Sequence, residues 1–247
     1  MNPAEAGVED YLEYLKSLSE ADAEYFLEGG QAVNFWAEYI DAQIQGRPMS
    51  PMRPFTSKDC DIWVSHGTWE DLKRNPAVRK GSSPADGQLG ILTLSEEPPR
   101  VVDILSTVYG ISVAEYPRLM VRALGDGTVR VIDPVYLFLS KCHCFLHLPQ
   151  ADRQDERHVR MMAMILPEYL TLLIAKAEAS TIADRDLLKE IKLLKKISSS
   201  WPCRRATQAL GIESQSLIPW NRLAQSPSDL LAKYAASQPG KGGQKES

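Results

Sequence analysis

Two aspartates, Asp59 and Asp61, stand two apart in Phe55-Thr56-Ser57-Lys58-Asp59-Cys60-Asp61-Ile62-Trp63-Val64, some thirty residues after the glycine pair Gly29-Gly30. On a strand, positions i and i+2 share a face. Their Cα atoms then lie about 6.5–7 Å apart. Side chains at that distance can converge on one divalent ion or bracket two ions about 3.5–4 Å apart. Mg²⁺ is the cation such hard oxygen ligands suit. A glycine pair opening a helix lets backbone N–H groups approach a phosphate, where the helix N-terminus carries a partial positive charge. Together the motifs point to chemistry on a nucleoside triphosphate.

A third acid is expected nearby. Asp103 lies in the apolar run Val101-Val102-Asp103-Ile104-Leu105, where an ionised carboxylate is costly without a partner. A metal is one such partner. Thr56 and Ser57 either donate hydrogen bonds to phosphate and orient the aspartates or are ordinary turn polarity. The competing reading of the aspartates is solvent-facing polarity at a sheet edge, and that of the glycines is a simple strand-to-helix turn. Lys58 is assigned no role.

The elements that position these residues follow from periodicity. Val8, Tyr11, Leu12, Leu15 and Leu18 predict an amphipathic helix over 5–19. A short strand over 24–28 ends at the glycines. Ala32, Val33, Trp36, Ile40 and Ile44 predict the helix that follows. A Pro-rich loop covers 45–54, a strand 59–65, a short helix 68–78 and a loop 79–88. Further strands are expected at 89–95, 100–105 and 128–132. The apolar Cys60, Ile62 and Val64 are expected to face the core, directing Asp59 and Asp61 outward. Asp133-Pro134 reads as the N-cap and first position of a helix reaching about His147. Beyond a polar break at Gln150–Glu156 the chain reads as helical, and from Gln238 it becomes Gly-rich, charged and disordered. The expected fold is α/β in the α+β sense: a small mixed sheet with flanking helices, then an α-helical C-terminal region. Residues 1–150 form the core, 151–237 the helical region and 238–247 the tail.

Composition narrows the function. The 247 residues carry a net charge of -4, which disfavours a dedicated DNA-binding protein. No apolar run reaches the roughly 18 residues of a membrane span, and the N-terminus has neither a basic start nor an apolar stretch. Four scattered cysteines, Cys60, Cys142, Cys144 and Cys203, do not make a disulfide scaffold. A cytoplasmic protein with no membrane partner is expected. On the helix after Pro134, His143 and His147 share a face while Cys142 and Cys144 point elsewhere, so buried helix residues outweigh a zinc site. Lys189, Lys192, Lys195 and Lys196, with Arg204 and Arg205, read as a solvated face more readily than as a nucleic-acid contact.

The glycine pair matches neither a Walker A loop nor a dinucleotide fingerprint. Gly29-Gly30-Gln31-Ala32-Val33-Asn34-Phe35-Trp36-Ala37-Glu38, followed by Phe55-Thr56-Ser57-Lys58-Asp59-Cys60-Asp61-Ile62, resembles the nucleotidyltransferase superfamily. It is most similar to the AbiEii-like branch, which includes toxins of toxin–antitoxin systems. Val131-Ile132-Asp133-Pro134 through Ser140-Lys141 resembles that family's second block, so the likeness spans roughly 24–160. The resemblance implies that Gly29 and Gly30 contact triphosphate, that Asp59 and Asp61 bind Mg²⁺, and that Asp103 is the third acid and base. It implies that Lys141 neutralises phosphate charge. Read from the helix alone, Lys141 either seeks a buried anion or snorkels to the surface. The chain departs from the pattern afterwards, with Gln154 where the family has Lys and His158 where it has Asp. Arg153 and Asp155 fall in that segment.

The expectation is therefore an Mg²⁺-dependent nucleotidyltransferase, using two ions, that moves NMP from an NTP to a hydroxyl of a protein, a tRNA or a small molecule. A toxin role with an antitoxin partner is implied by the resemblance. The alternative is a catalytically degenerate nucleotide-binding regulatory protein.

Overall fold

The computed structural model describes residues 5–82, 87–122 and 127–238. Among these, five strands form one mixed sheet. In chain order they are β1 (Tyr25–Glu28), β2 (Cys60–Val64), β3 (Val78–Lys80), β4 (Gln88–Glu96) and β5 (Pro99–Leu105). Their spatial order is β1-β2-β5-β4-β3. β2 and β5 run parallel, and every other neighbouring pair is antiparallel. The α+β class and the helical C-terminal region are as expected.

Alternation along the strands sorts their side chains. Leu27, Ile62 and Ile104 are paired across β1, β2 and β5 on one face and are fully buried. The other face carries Phe26 opposite Trp63 and Glu28 opposite Asp61. This second face is not the open surface the sequence suggested. Trp63 is 7% exposed. Its ring stacks on Phe26 at 5.0 Å between centroids and meets Tyr116 edge-on at 5.6 Å, and its indole N–H donates to Ser106 O at 3.0 Å. Aromatic packing thus closes one half of the face and leaves the acidic half to line a cleft.

The N-terminal segment forms a 3₁₀ turn at Val8–Tyr11 and then α1 (Leu12–Glu20). α2 (Gly29–Gln43) follows β1 without an intervening loop. The helix expected over 68–78 is the shorter α3 (His66–Leu72), capped by the Ser65 hydroxyl, which accepts from Thr68 N. Asn75-Pro76, inside the expected helix, turns the chain into β3, whose Arg79 and Lys80 fall in what read as a loop. α4 (Tyr116–Arg122) had no strong periodic signal. The strand expected at 128–132 is a single bridge from Val131 to Leu27. Two backbone bonds, Leu27 N→Arg130 O and Ile132 N→Leu27 O, bind it to β1, and the ladder stops there because Pro134 already starts the next helix. That helix, α5 (Pro134–His147), is capped as expected by Asp133, whose Oδ1 accepts from Val135 N and Tyr136 N.

α6 (Asp155–Glu178) begins inside the presumed polar break, and α7 (Asp184–Ser198), α8 (Trp201–Ala209), α9 (Trp220–Ala224) and α10 (Asp229–Ala236) complete the described chain. The tail read as disordered lies, after Gln238, outside the described residues. α6 is long and apolar enough to cross a membrane, with a mean hydropathy of 1.3 over its best window. Averaging conceals charges that interrupt any strict apolar run. The helix packs on α2, α5 and α7 and buries Met161, Met162, Ile165 and Leu166, as a core helix of a soluble protein does.

The aromatic seam is the support for the acidic half of the face. Trp63→Ala is expected to cost about 3–5 kcal/mol, the usual range for emptying a buried aromatic site. Urea unfolding measures it, and a loss under about 1 kcal/mol would contradict the packing described.

Candidate functional site

Strand register brings the acids together. Asp61 of β2 is the pairing partner of both Glu28 on β1 and Asp103 on β5. Three carboxylates therefore sit side by side on adjacent strands, which run about 4.8 Å apart, and Asp59 immediately precedes β2. Asp59, Asp61 and Asp103 each offer an oxygen within 4.8 Å of the others. Among the described residues this is the one group of three or more such side chains able to hold a metal ion. Gln88 Nε2 donates to Asp103 Oδ1 at 3.1 Å and fixes that carboxylate.

The glycines are held where the motif predicts, with an added reason for their type. Gly29 has φ +68°, and a Cβ there would stand 1.8 Å from Asp61 Oδ2. The residue is glycine because the chain is left-handed and because the Asp61 carboxylate presses against its backbone. A Cβ on Gly30 would meet Ser57 Oγ at 2.5 Å and His158 Cε1 at 3.0 Å. α2 starts here with no side-chain cap, and Gly29 and Gly30 of its first turn border the cleft.

Two chambers with shared lining residues open along this acidic face. The smaller, about 250 Å³, holds Asp59, Asp61 and Asp103 together with Gly30, Ser57 and His158. The larger, about 540 Å³, has Glu28 and Gly29 in its wall, an apolar side from Leu105, Val108 and Leu148, and the half-exposed Tyr109. Asp61, Lys141 and Arg153 border both.

Lys141 does not snorkel. It is 5% exposed and its Nζ lies 3.9 Å from Asp155 Oδ1. Arg153 Nε lies 2.5 Å from the other oxygen of Asp155. Asp155 is buried at the first turn of α6, where a negative charge suits the helix dipole, and it pairs with both cations where they border the two chambers. Ser57 is anchored by paired backbone bonds with Ala6, each 2.9 Å. Lys58, given no role from sequence, also borders the smaller chamber and donates to Asp152 O at 3.1 Å. Thr56 lies outside both linings, and its hydroxyl donates to Glu5 Oε2 at 2.7 Å.

The departing segment 152–158 lies within the site: Asp152, Arg153, Gln154, Asp155 and His158 all border the smaller chamber. Glu28, Gln88 and His158 were not picked out as site residues from sequence. Elsewhere, His143 and His147 share a helix face with ring centroids 5.7 Å apart, and His147 stacks on Trp201. Lys189 pairs with Asp186, Lys192 lies over the Tyr234 ring, and Lys195 donates to Gln238.

Burial raises the affinity of Glu28, Asp61 and Asp103 for protons, and neighbouring acids add to it at Asp61 and Asp103. Burial first, then the charges of Asp59, Asp103 and Glu28, push the Asp61 carboxyl well above its usual range, with Lys141 opposing them. Burial and Asp59 lift Asp103 to about 6. Burial lifts Glu28 to about 8, again against Lys141. The Glu28 Oε1 has no hydrogen-bond partner among the described residues. The donor set is all oxygen and short of positive charge, so it fits a hard divalent cation, which can replace the protons these acids otherwise retain.

No family model and no curated protein matches the chain.

Between the ordinary carboxyl range near 4 and about 8, the folded chain holds protons that the unfolded chain has released. Stability in chelator is therefore expected to fall as pH rises through this window. The melting temperature should drop by about 5 °C or more from pH 5 to pH 8.5, and Glu28→Gln should flatten the decline. A melting temperature that climbs with pH, or an unchanged slope in Glu28→Gln, would contradict the account.

Proposed function

We propose that the chain is an Mg²⁺-dependent nucleotidyltransferase that moves NMP from an NTP to an acceptor hydroxyl in the cytoplasm. The observation that carries this reading is the trio Asp59, Asp61 and Asp103, with oxygens within 4.8 Å of one another, in a chamber also bordered by Gly30 at the uncapped start of α2 and by Lys141 and Arg153. A purely structural acid cluster explains the first part only. It does not explain why a glycine-led helix and two anchored cations border the same space.

Asp59, Asp61 and Asp103 would hold the metal. When bound, one or two Mg²⁺ ions supply charge neutralisation at the phosphates and Lewis acidity toward the acceptor oxygen. The chain's own groups do the rest. The first amides of α2 donate to phosphate oxygens. Lys141 and Arg153, held by Asp155, offset the charge of the pyrophosphate leaving group. Asp103 keeps one oxygen tied to Gln88 and receives the acceptor's proton on the other. The acceptor oxygen bonds to the α-phosphorus as the bond to pyrophosphate breaks. The larger chamber, with its apolar wall and the Thr107 and Ser140 hydroxyls, takes the uncharged part of a substrate. A protein, a tRNA 3′ end and a small molecule remain the acceptor classes to test.

Incubation with each α-labelled NTP, Mg²⁺ and a cell lysate tests the proposal by following where the label settles. Wild type should transfer label in a chelator-sensitive way. Asp59→Asn and Asp61→Asn should each reduce transfer by about 100-fold or more while remaining folded, the loss typical of removing one charge-stabilising group. Transfer at the wild-type level by both variants refutes the metal assignment. Nucleotide binding by wild type with no transfer to any acceptor contradicts the enzymatic reading and favours a regulatory nucleotide-binding protein.

A further inference from the structure

His158 is one of two residues, with Gln154, at which this chain departs from the pattern its other motifs resemble, and its surroundings are unusual. It is 4% exposed, yet neither ring nitrogen has a hydrogen-bond partner among the described residues. The ring lies against the first turn of α2, with Cε1 3.0 Å from the place a Gly30 Cβ would occupy, and Ser57 Oγ is 2.5 Å from the same point. His158, Gly30 and Ser57 thus close one wall of the smaller chamber. α2 is fifteen residues long and has no side-chain cap, so its own amide donors open onto this wall.

We propose that His158 binds the phosphate chain of the nucleotide, its imidazole N–H donating to a phosphate oxygen at the start of α2. The proposal rests on the nucleotidyltransferase reading of the cleft. Three features select this role. Buried polar atoms are ordinarily satisfied, yet both ring nitrogens here are closed off and unpartnered among the described residues, in a residue that borders a chamber with room for a ligand. The cations Lys58, Lys141 and Arg153 border the same chamber beside Asp59, Asp61, Asp103, Asp152 and Asp155, so a phosphate fits there once a divalent ion has offset the aspartates. The alternative of metal ligation is not favoured, since the group able to gather around one ion comprises the three aspartates and not His158. Burial first, then Lys141, Arg157 and Arg153, hold the imidazole well below its ordinary range. The ring is therefore neutral, with one nitrogen a donor and the other an acceptor.

A stability measurement beside a binding measurement separates this role from a structural one. His158→Leu removes two unsatisfied atoms and no internal hydrogen bond, so it should melt at or above the wild-type temperature without ligand. It should bind Mn²⁺ as wild type does. Titrated with each of the four NTPs in Mg²⁺, it should bind the preferred one about tenfold or more weakly, the worth of one hydrogen bond to a charged group. His158→Gln, which keeps an N–H donor, should recover part of that loss. Wild-type NTP affinity in His158→Leu overturns the proposal and leaves the nucleotide reading standing. A His158→Leu chain that melts well below wild type, or loses Mn²⁺ binding, also overturns it, because the ring would then be serving the fold or the metal. Failure of wild type to bind any of the four NTPs overturns both readings.

Discussion

Strand register forces like charges together at the centre of this molecule. Glu28, Asp61 and Asp103 are direct neighbours across β1, β2 and β5, and Asp59 adds a fourth acid within reach. None can leave the row without breaking the strand register, since Leu27, Ile62 and Ile104 on the opposite face are fully buried in the same pairing. The row has two routes to neutrality: protons or cations. Protons explain the raised affinities of Glu28, Asp61 and Asp103. A divalent cation removes the same repulsion without protonating the acids, and the nearby cations complete the balance without closing the cleft.

The surrounding parts are arranged to keep that row accessible. Phe26, Trp63 and Tyr116 seal the neighbouring half of the face, so the acids line a bounded cleft. Gly29 concedes its side-chain space to Asp61, and Gly30 concedes its own to Ser57 and His158. The glycine pair therefore acts twice. It leaves the start of α2 open to a ligand, and it lets β2 and α6 bring their side chains against the α2 backbone. Asp155 ties Lys141 of α5 to Arg153, so the rim of the cleft is assembled from both sides of the 148–154 connection.

Much of this was legible in the residues. The strand–glycine–helix order, the Asp-x-Asp strand, the Asp103 strand and the Asp133 cap all follow from local periodicity and capping chemistry, and the structure bears them out. Short elements were missed for physical reasons. β3 has three residues and α4 seven, too few to show a period, and the 128–132 segment meets β1 at one bridge before Pro134 imposes a helix. Glu28 carried the same signal that exposed Asp103, a lone acid in an apolar strand, but its place beside the glycines made it read as a strand end. His158 could not be recognised from spacing. Its burial depends on α6 packing against the first turn of α2, a contact between residues 128 positions apart.

The account turns on whether the acidic row exchanges protons for a divalent cation. The most direct measurement is calorimetric titration of the metal-free protein with Mg²⁺ at pH 7 in two buffers of different ionisation enthalpy. Saturable binding with proton release to the buffer, lost in Asp61→Asn, is the predicted result. Absence of saturable binding, or binding that releases no protons and survives Asp61→Asn, would contradict it.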